Sequence, residues 1–301
     1  MNSNIKPNLF IVGAPKCGTT SLYHYLRQHP EIFMSNFKEP HYFGKDLTRL
    51  NNLYYTEEKK YLKLFTMVKK EKIIGEASPH YLYSYSAPEE IKKFNSKSKI
   101  IILLRHPTEM IYSLHSQLLF SGNEVEQDFI MALELEDIRL KGKNIPSKID
   151  LIEKLFYRTY VEKLPDQIQR YQKIFSKENV KIMLLSDLQN NVNNTYQNIL
   201  KFLNVDPSFT PEFTIENPHK SFRFKIIRDI VKYSSPILGN MRGKFTSKSL
   251  GIMKFIQGMN NQFSEKKTLE TNIKEKLDQE FKPTIIKLEE IINRDLSHWY
   301  H

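Results

Sequence analysis

A single cysteine, Cys17, stands among 301 residues. No disulfide can form within the chain, and a reducing compartment is expected. No apolar run reaches membrane-spanning length and no secretory leader pattern is found, so the expectation is a cytoplasmic protein, at most peripheral to a membrane. Metal-ligand spacing is missing too: His24, His29 and His80 have no partner at a liganding interval, and no metal requirement is expected. Acidic residues are in deficit, 34 against 45 lysines and arginines, and the formal net charge of +11 favours anionic ligands. No nucleic-acid recognition motif accompanies that charge, so nucleic acid is not an expected partner. Oligomeric state leaves no trace in the sequence. A hydrophobic content of 40 % over this length is enough for one α/β domain, residues 1–301, with an ample core.

The chemistry starts with Leu9-Phe-Ile-Val12, followed by Gly13-Ala-Pro-Lys-Cys-Gly18 and then Thr19-Thr-Ser-Leu-Tyr-His-Tyr-Leu26. An apolar strand, a tight turn and an amphipathic helix in that order build a phosphate cradle. The helix start carries unpaired backbone N–H groups and the positive end of its dipole. Gly13 and Gly18 let the backbone approach an anion, Lys16 adds a full charge, and Thr19, Thr20 and Ser21 add hydroxyl donors. Cys17 reads as a small loop residue and not a nucleophile. A nucleoside-triphosphate loop has the spacing G-x-x-x-x-G-K-[ST], with lysine beside the hydroxyl that ligates magnesium. Here Gly18 is followed directly by Thr19 and Thr20, and the lysine lies two residues before the glycine, so metal-assisted triphosphate chemistry lacks its usual parts.

Some ninety residues later, Lys99-Ile-Ile-Ile-Leu-Leu104 is a continuous apolar run of the kind a central parallel strand shows. It ends in Arg105-His-Pro107, and Pro107 suits the first position of a helix whose Ile111, Leu114 and Leu118 follow at helical spacing. Arg105 therefore stands at the carboxyl end of a strand, where open α/β sheets bind ligands, and Ser113 falls about two turns into the helix. The planar donor fork of a guanidinium matches a phosphate.

The loop pattern G-x-x-K-x-G-T-[TS] over 13–20 and the R-x-P-x5-S element from Arg105 to Ser113 resemble those of sulfotransferases that use 3′-phosphoadenosine 5′-phosphosulfate (PAPS). The resemblance implies that Lys16, the amides of Cys17 to Thr20 and the hydroxyls of Thr19, Thr20 and Ser21 hold the 5′-phosphosulfate, and that Arg105 and Ser113 hold the 3′-phosphate. His29-Pro-Glu-Ile32, Lys38-Glu-Pro-His-Tyr-Phe43 and Gly75-Glu-Ala-Ser-Pro-His-Tyr-Leu-Tyr83 are similar to segments of the heparan-type branch and its bacterial carbohydrate relatives. That branch's catalytic base carries over to Glu39, with Lys38 as a second candidate cation. His41 and His115 are rival bases, because other branches use histidine. Sulfuryl transfer needs a base for the acceptor proton and cations for the leaving phosphate. Glu39 would serve best with its pKa raised toward neutrality by partial burial against Tyr42 and Phe43. A strand ending near Glu76 and Ser78 is expected to put both on the ligand side of the sheet.

The second half resembles the family more loosely. Ser186 stands where glutamate is usual, and Asn204 where glycine is usual; asparagine at a helix end tolerates the left-handed conformation that glycine otherwise supplies. The strand ending near Asp187 also reads as the acidic strand of a nucleotide kinase. From Asn217 the chain turns basic, and Asn217-Pro-His-Lys-Ser-Phe-Arg223 resembles the segment that closes over the adenosine 3′-phosphate, which offers Ser221 and Arg223. Residues 222–232 read as an amphipathic helix with one basic side, suited to a membrane surface or an anionic glycan. The last segment matches the family's terminal helix, with Trp299 expected against the sheet.

The implied fold is a P-loop-like three-layer α/β architecture, a central four- to five-stranded mostly parallel sheet flanked by helices, with strands near 8–13, 72–76, 99–104 and 180–185. Residues 219–268 would form a basic segment facing substrate or membrane, and 269–301 a helix packing back on the core. The implied activity moves a sulfuryl group from PAPS to a hydroxyl or amine of a carbohydrate or glycolipid, with adenosine 3′,5′-bisphosphate as product. Segments 44–58, 120–150 and 235–268 match nothing and are assigned to acceptor recognition. A nucleotide kinase and a non-catalytic glycan- or membrane-binding protein remain open alternatives.

Overall fold

The computed structural model describes residues 5–50, 54–213, 220–222, 261–263 and 269–300. Five parallel strands form the sheet: β1 (Leu9–Gly13), β2 (Ile32–Met34), β3 (Ile73–Ala77), β4 (Lys99–Leu104) and β5 (Val180–Leu184), in the order β2-β3-β1-β4-β5. The four strands expected from apolar runs lie within one residue of their expected ends. The fifth, β2, follows the His29-Pro30 turn and has only three residues, too few to show a periodicity. Every residue of β1 and all but Lys99 of β4 are buried, as strands covered by helices on both faces must be.

The strand order sets where a ligand goes. The chain moves from β1 outward to β2 and β3 on one side, then returns to place β4 on the other. The carboxyl ends of β1 and β4 thus flank the crevice at which the winding direction reverses, the usual ligand position of an open α/β sheet. The loop 13–18 leaves β1 there, and Arg105 leaves β4 there. Ala14 N–H donates to the Leu103 carbonyl at 2.7 Å and pins the first loop to the second strand.

The C-terminal helix Thr271–Ile292 buries Leu277, Phe281, Ile285 and Leu288, and Thr108 Oγ1 donates to its Asp278 at 2.6 Å. Trp299 is buried in the core, its ring centroid 5.9 Å from that of His106 just past the end of β4. Asn204 takes the left-handed conformation (φ 58°) at the end of helix Val192–Leu203, as its position in the sequence implies. Residues 220–222 and 261–263 pair as a short antiparallel ladder with Ser221 opposite Gln262. Arg223 and the amphipathic segment after it lie outside the described residues.

Candidate active site

The first loop is shaped for an anion. Gly18 sits at φ 86° as the N-cap of helix Thr19–Arg27, and a Cβ there would stand 2.7 Å from Leu185 Cδ1. Glycine supplies both the left-handed backbone and the space. No side chain caps this helix and no acidic residue stands in its first turn, so its dipole is left uncompensated at the loop. Thr19 is buried in the first turn, and Thr20 and Ser21 are half-exposed beside it. Cys17 is fully buried; its thiol donates to the Pro15 carbonyl at 3.4 Å, and burial pushes its pKa up to about 12, which removes it as a nucleophile.

Lys16 and Arg105 meet. Arg105 Nη1 donates to the Lys16 carbonyl at 3.4 Å, while its Nε and Nη2 reach Glu109 Oε2 at 3.2 and 2.7 Å. Burial and the nearby guanidinium lower the Lys16 pKa, and its Nζ donates to Gln117 Oε1 at 3.2 Å. Two cations held together and partly desolvated repel each other, and an anion placed between them relieves that repulsion. Glu109, Ser113 and Gln117 are spaced four apart on helix Pro107–Ser121 and so share one face. Glu109 touches Arg105 and Gln117 touches Lys16, which sets buried Ser113 on the stripe between the two cations. Gln117 lies outside the sequence motif, although the four-residue step beyond Ser113 points to it.

The loop 38–43 crosses the end of β3. Glu39 and His41 adopt φ of 60° and 47°, left-handed values that cost non-glycine residues about 1–3 kcal/mol each. Glu39 Oε1 accepts from Lys38 Nζ, and its Oε2 lies 3.5 Å from His41 Nε2. These contacts overturn the expectation of a raised pKa. Burial alone would raise it, but the Lys38 ammonium and the His41 ring hold the Glu39 carboxyl well below the usual carboxylate range. Tyr42 and Phe43 do not bury it either: Tyr42 stacks on Tyr61 at 4.3 Å, and Phe43 packs edge-on against Phe10 and Tyr81. His41 is buried, its Nδ1 has no hydrogen-bond partner, and burial lowers its pKa despite Glu39. His80 lies 6.1 Å from it, ring to ring, and is kept neutral by burial and by Lys154.

His115 belongs elsewhere. Its Nε2 meets the Glu126 carbonyl at 2.9 Å and its ring packs against Phe129 and Tyr157, within the network around the buried Arg139–Glu124 pair. Glu76 and Ser78 lie under the Glu39 loop in the interior, not on an open ligand face. Of the unmatched segments, 44–58 meets the end of 120–150 and the residues just after it, while 235–268 lies outside the described residues apart from 261–263: Arg49 bridges Leu151, Leu50 N–H donates to the Asp150 carbonyl at 3.0 Å, and Thr48 N–H donates to Glu153 at 2.9 Å. They bring Tyr54, Asp150 and Lys154 to the histidine cluster, with Lys154 Nζ 2.8 Å from Asp150. No sequence signal marks these three. Asp187, which a kinase would need for magnesium, is held by Arg294 at 2.6 and 2.9 Å and caps the Leu184 amide. Among the described residues no group of three or more histidine, cysteine or acidic side chains is arranged to hold a metal ion.

The family model described as "Sulfotransferase domain" matches residues 6–295. The chain belongs to the sulfotransferase family. Mouse carbohydrate sulfotransferase 15 is 30 % identical over 67 % of this chain and 44 % of its own length. Mouse heparan sulfate glucosamine 3-O-sulfotransferase 5 is 27 % identical over 73 % of this chain and 61 % of that protein. The chain thus spans about half the length of these curated relatives. A crystal structure of a sulfotransferase from Alicyclobacillus acidocaldarius superposes with a TM-score of 0.74 at 26 % identity, covering 99 % of this chain and 100 % of that one. Within this sulfotransferase fold, Lys16 and Arg105 stand together at the carboxyl ends of β1 and β4, and the Glu39–His41 loop crosses the end of β3, the Glu39 amide donating to the Ala77 carbonyl at 3.0 Å.

Proposed function

We propose that this protein transfers a sulfuryl group from PAPS to a hydroxyl or amine of a carbohydrate or glycolipid. The observation that carries the reading is the Lys16–Arg105 juxtaposition beside an uncapped helix start, with Ser113 on the face between them. Lys16, the amides of Cys17 to Thr20 and the hydroxyls of Thr19, Thr20 and Ser21 fit a 5′-phosphosulfate; Arg105 and Ser113 fit a 3′-phosphate. Ser221 and Arg223 are assigned to the same phosphate by their family resemblance. When bound, PAPS supplies an activated sulfuryl group on a phosphate leaving oxygen.

The residues of the chain do the rest. Lys16 faces the leaving side, where a cation stabilises growing negative charge. Glu39, ionised at neutral pH, accepts the acceptor's proton as the new bond to sulfur forms. Lys38 keeps that carboxylate ionised, and His41 orients it through the Nε2 contact. The acceptor enters past Tyr54, Asp150 and Lys154; the carbohydrate class is supported by the relatives' names.

Titration with adenosine 3′,5′-bisphosphate, and separately with ATP plus magnesium, tests the reading. The bisphosphate is expected to raise the thermal midpoint in the presence of a chelator. Stabilisation by magnesium–ATP alone would establish a nucleotide kinase instead, and binding of the bisphosphate without turnover on any glycan would establish a non-catalytic protein.

A further inference from the structure

Glu76 is the last residue but one of β3, fully buried, and takes no direct part in holding an anion or moving a proton. Its carboxylate is surrounded by hydroxyls. Oε1 accepts from Tyr61 at 2.8 Å and from Tyr81 at 3.1 Å, and Oε2 accepts from Ser78 at 2.7 Å. Two of those hydroxyls also hold the loop above: Ser78 Oγ accepts from the His41 amide at 3.3 Å, and Tyr81 Oη accepts from the Phe43 amide at 3.2 Å.

A hydroxyl has one hydrogen. Where that hydrogen is donated to Glu76, only lone pairs remain to face the loop, and lone pairs are what the amides of His41 and Phe43 require. An ionised carboxylate accepts and never donates, so it alone fixes both hydroxyls in that direction. The loop it steadies carries two left-handed non-glycine residues, Glu39 and His41, a backbone that persists only when its surroundings over-determine it.

We propose that Glu76 is a positioning residue for the proton acceptor: its ionised carboxylate polarises Ser78 and Tyr81 so that they clamp the 39–43 loop in the conformation that presents Glu39. This assignment rests on the sulfotransferase reading only for its consequence on turnover. The groups facing Glu76 are Tyr61 from the helix Glu58–Leu62, Ser78 and Tyr81 from the turn after β3, and Glu39 from the loop. Burial raises the Glu76 pKa to about 7, with the Glu39 charge adding to the rise, so the clamp titrates in the working range.

Two readouts should then move in opposite directions. Because the folded protein binds this proton more tightly than the unfolded chain does, the Glu76 contribution to stability is full below about pH 4.5 and lost as pH rises through about 7. Loop order follows the ionised form and increases over the same rise. The experiment is hydrogen exchange of the segment 38–44, corrected for intrinsic rates, against pH, in the wild type and in Glu76→Gln, with kcat and the KM for PAPS measured in parallel. Expected are a wild-type loop that exchanges more slowly above pH 7 while the thermal midpoint falls, and a variant whose loop exchanges about tenfold faster than the wild type above pH 7 and at about the wild-type rate well below it. Strand β4 should be unaffected, and kcat should drop about tenfold with KM for PAPS within about twofold. Loop exchange left unchanged above pH 7 by the substitution, or raised equally in β4, would overturn the proposal whatever the turnover. A wild type without turnover would sink the sulfotransferase reading and leave the exchange arm to decide this one. Should Glu76→Gln fail to fold, Tyr81→Phe removes the hydroxyl that joins Glu76 to the Phe43 amide while leaving the carboxylate and Ser78 in place, and is expected to loosen the loop in the same direction.

Discussion

Replacing Arg105 by alanine tests the anion site most directly, because the structure shows what the guanidinium does before any ligand arrives. Its Nε and Nη2 are spent on Glu109, in the first turn of the helix that follows, and Nη1 on the Lys16 carbonyl. Hydrogen bonds to a charged phosphate are worth about 1.5–3 kcal/mol, so Arg105→Ala should weaken adenosine 3′,5′-bisphosphate binding by about 10- to 150-fold. Glu109 competes for the same donors, but it is 41 % exposed and its pairing is screened. Pairs of this kind contribute about 0.3–0.5 kcal/mol, so Glu109→Gln should tighten binding by only about twofold, and less at high salt. In the Arg105→Ala background the Glu109 substitution should change nothing, since the competition is gone. Calorimetric titration of the four proteins at two ionic strengths measures all of this. Wild-type affinity in Arg105→Ala, or weaker binding in Glu109→Gln, would refute the assignment of Arg105 to the cofactor.

Three further substitutions probe other parts of the molecule. Glu39→Gln should leave bisphosphate affinity within about twofold and lower kcat by about 10²–10⁴, the usual range for a lost general base; full activity in steady-state assays would move that role to His41. Gly13→Ala puts a Cβ 2.6 Å from Leu82 Cβ and 3.1 Å from the Pro79 carbonyl, contacts that a rigid turn cannot relieve, and should destabilise by about 1–3 kcal/mol in urea unfolding. Arg139→Met takes from the buried Glu124 carboxylate its balancing charge and two hydrogen bonds, at 2.7 and 2.8 Å, leaving it Tyr157 at 3.1 Å and the amides of Val125 and Glu126. A loss of about 3–5 kcal/mol is expected, and Glu124→Gln in the same chain should recover part of it.

Much of the frame is written along the chain. Continuous apolar runs give away the long strands, because a strand covered on both faces has no polar positions to hide. Gly18 and the absence of an acidic first turn mark the helix start, and Arg105-His-Pro107 marks the end of β4. Periodicity cannot reveal the three-residue β2, and nothing local announces that His115 turns toward Glu126. The pKa of Glu39 departs from expectation for a related reason. Its sequence neighbours Tyr42 and Phe43 suggest an apolar pocket, yet both rings turn to the Tyr61 and Phe10 side, leaving Lys38 and His41 against the carboxylate.

Local chemistry was decided by the sequence alone: where an anion-binding turn lies, which strand delivers an arginine, and which loop carries an acid between a lysine and a histidine. These depend on neighbours a few residues apart, and backbone geometry fixes them wherever the chain goes. Only the tertiary structure decided the long-range pairings, such as Arg105 with the Lys16 carbonyl, Gln117 with Lys16, Glu76 with the hydroxyls beneath the Glu39 loop, and the 44–50 segment with 150–153. They come from sheet order, which brings β4 beside β1 across the whole of residues 14–98, and no short-range propensity encodes which two distant side chains such a crossing sets face to face.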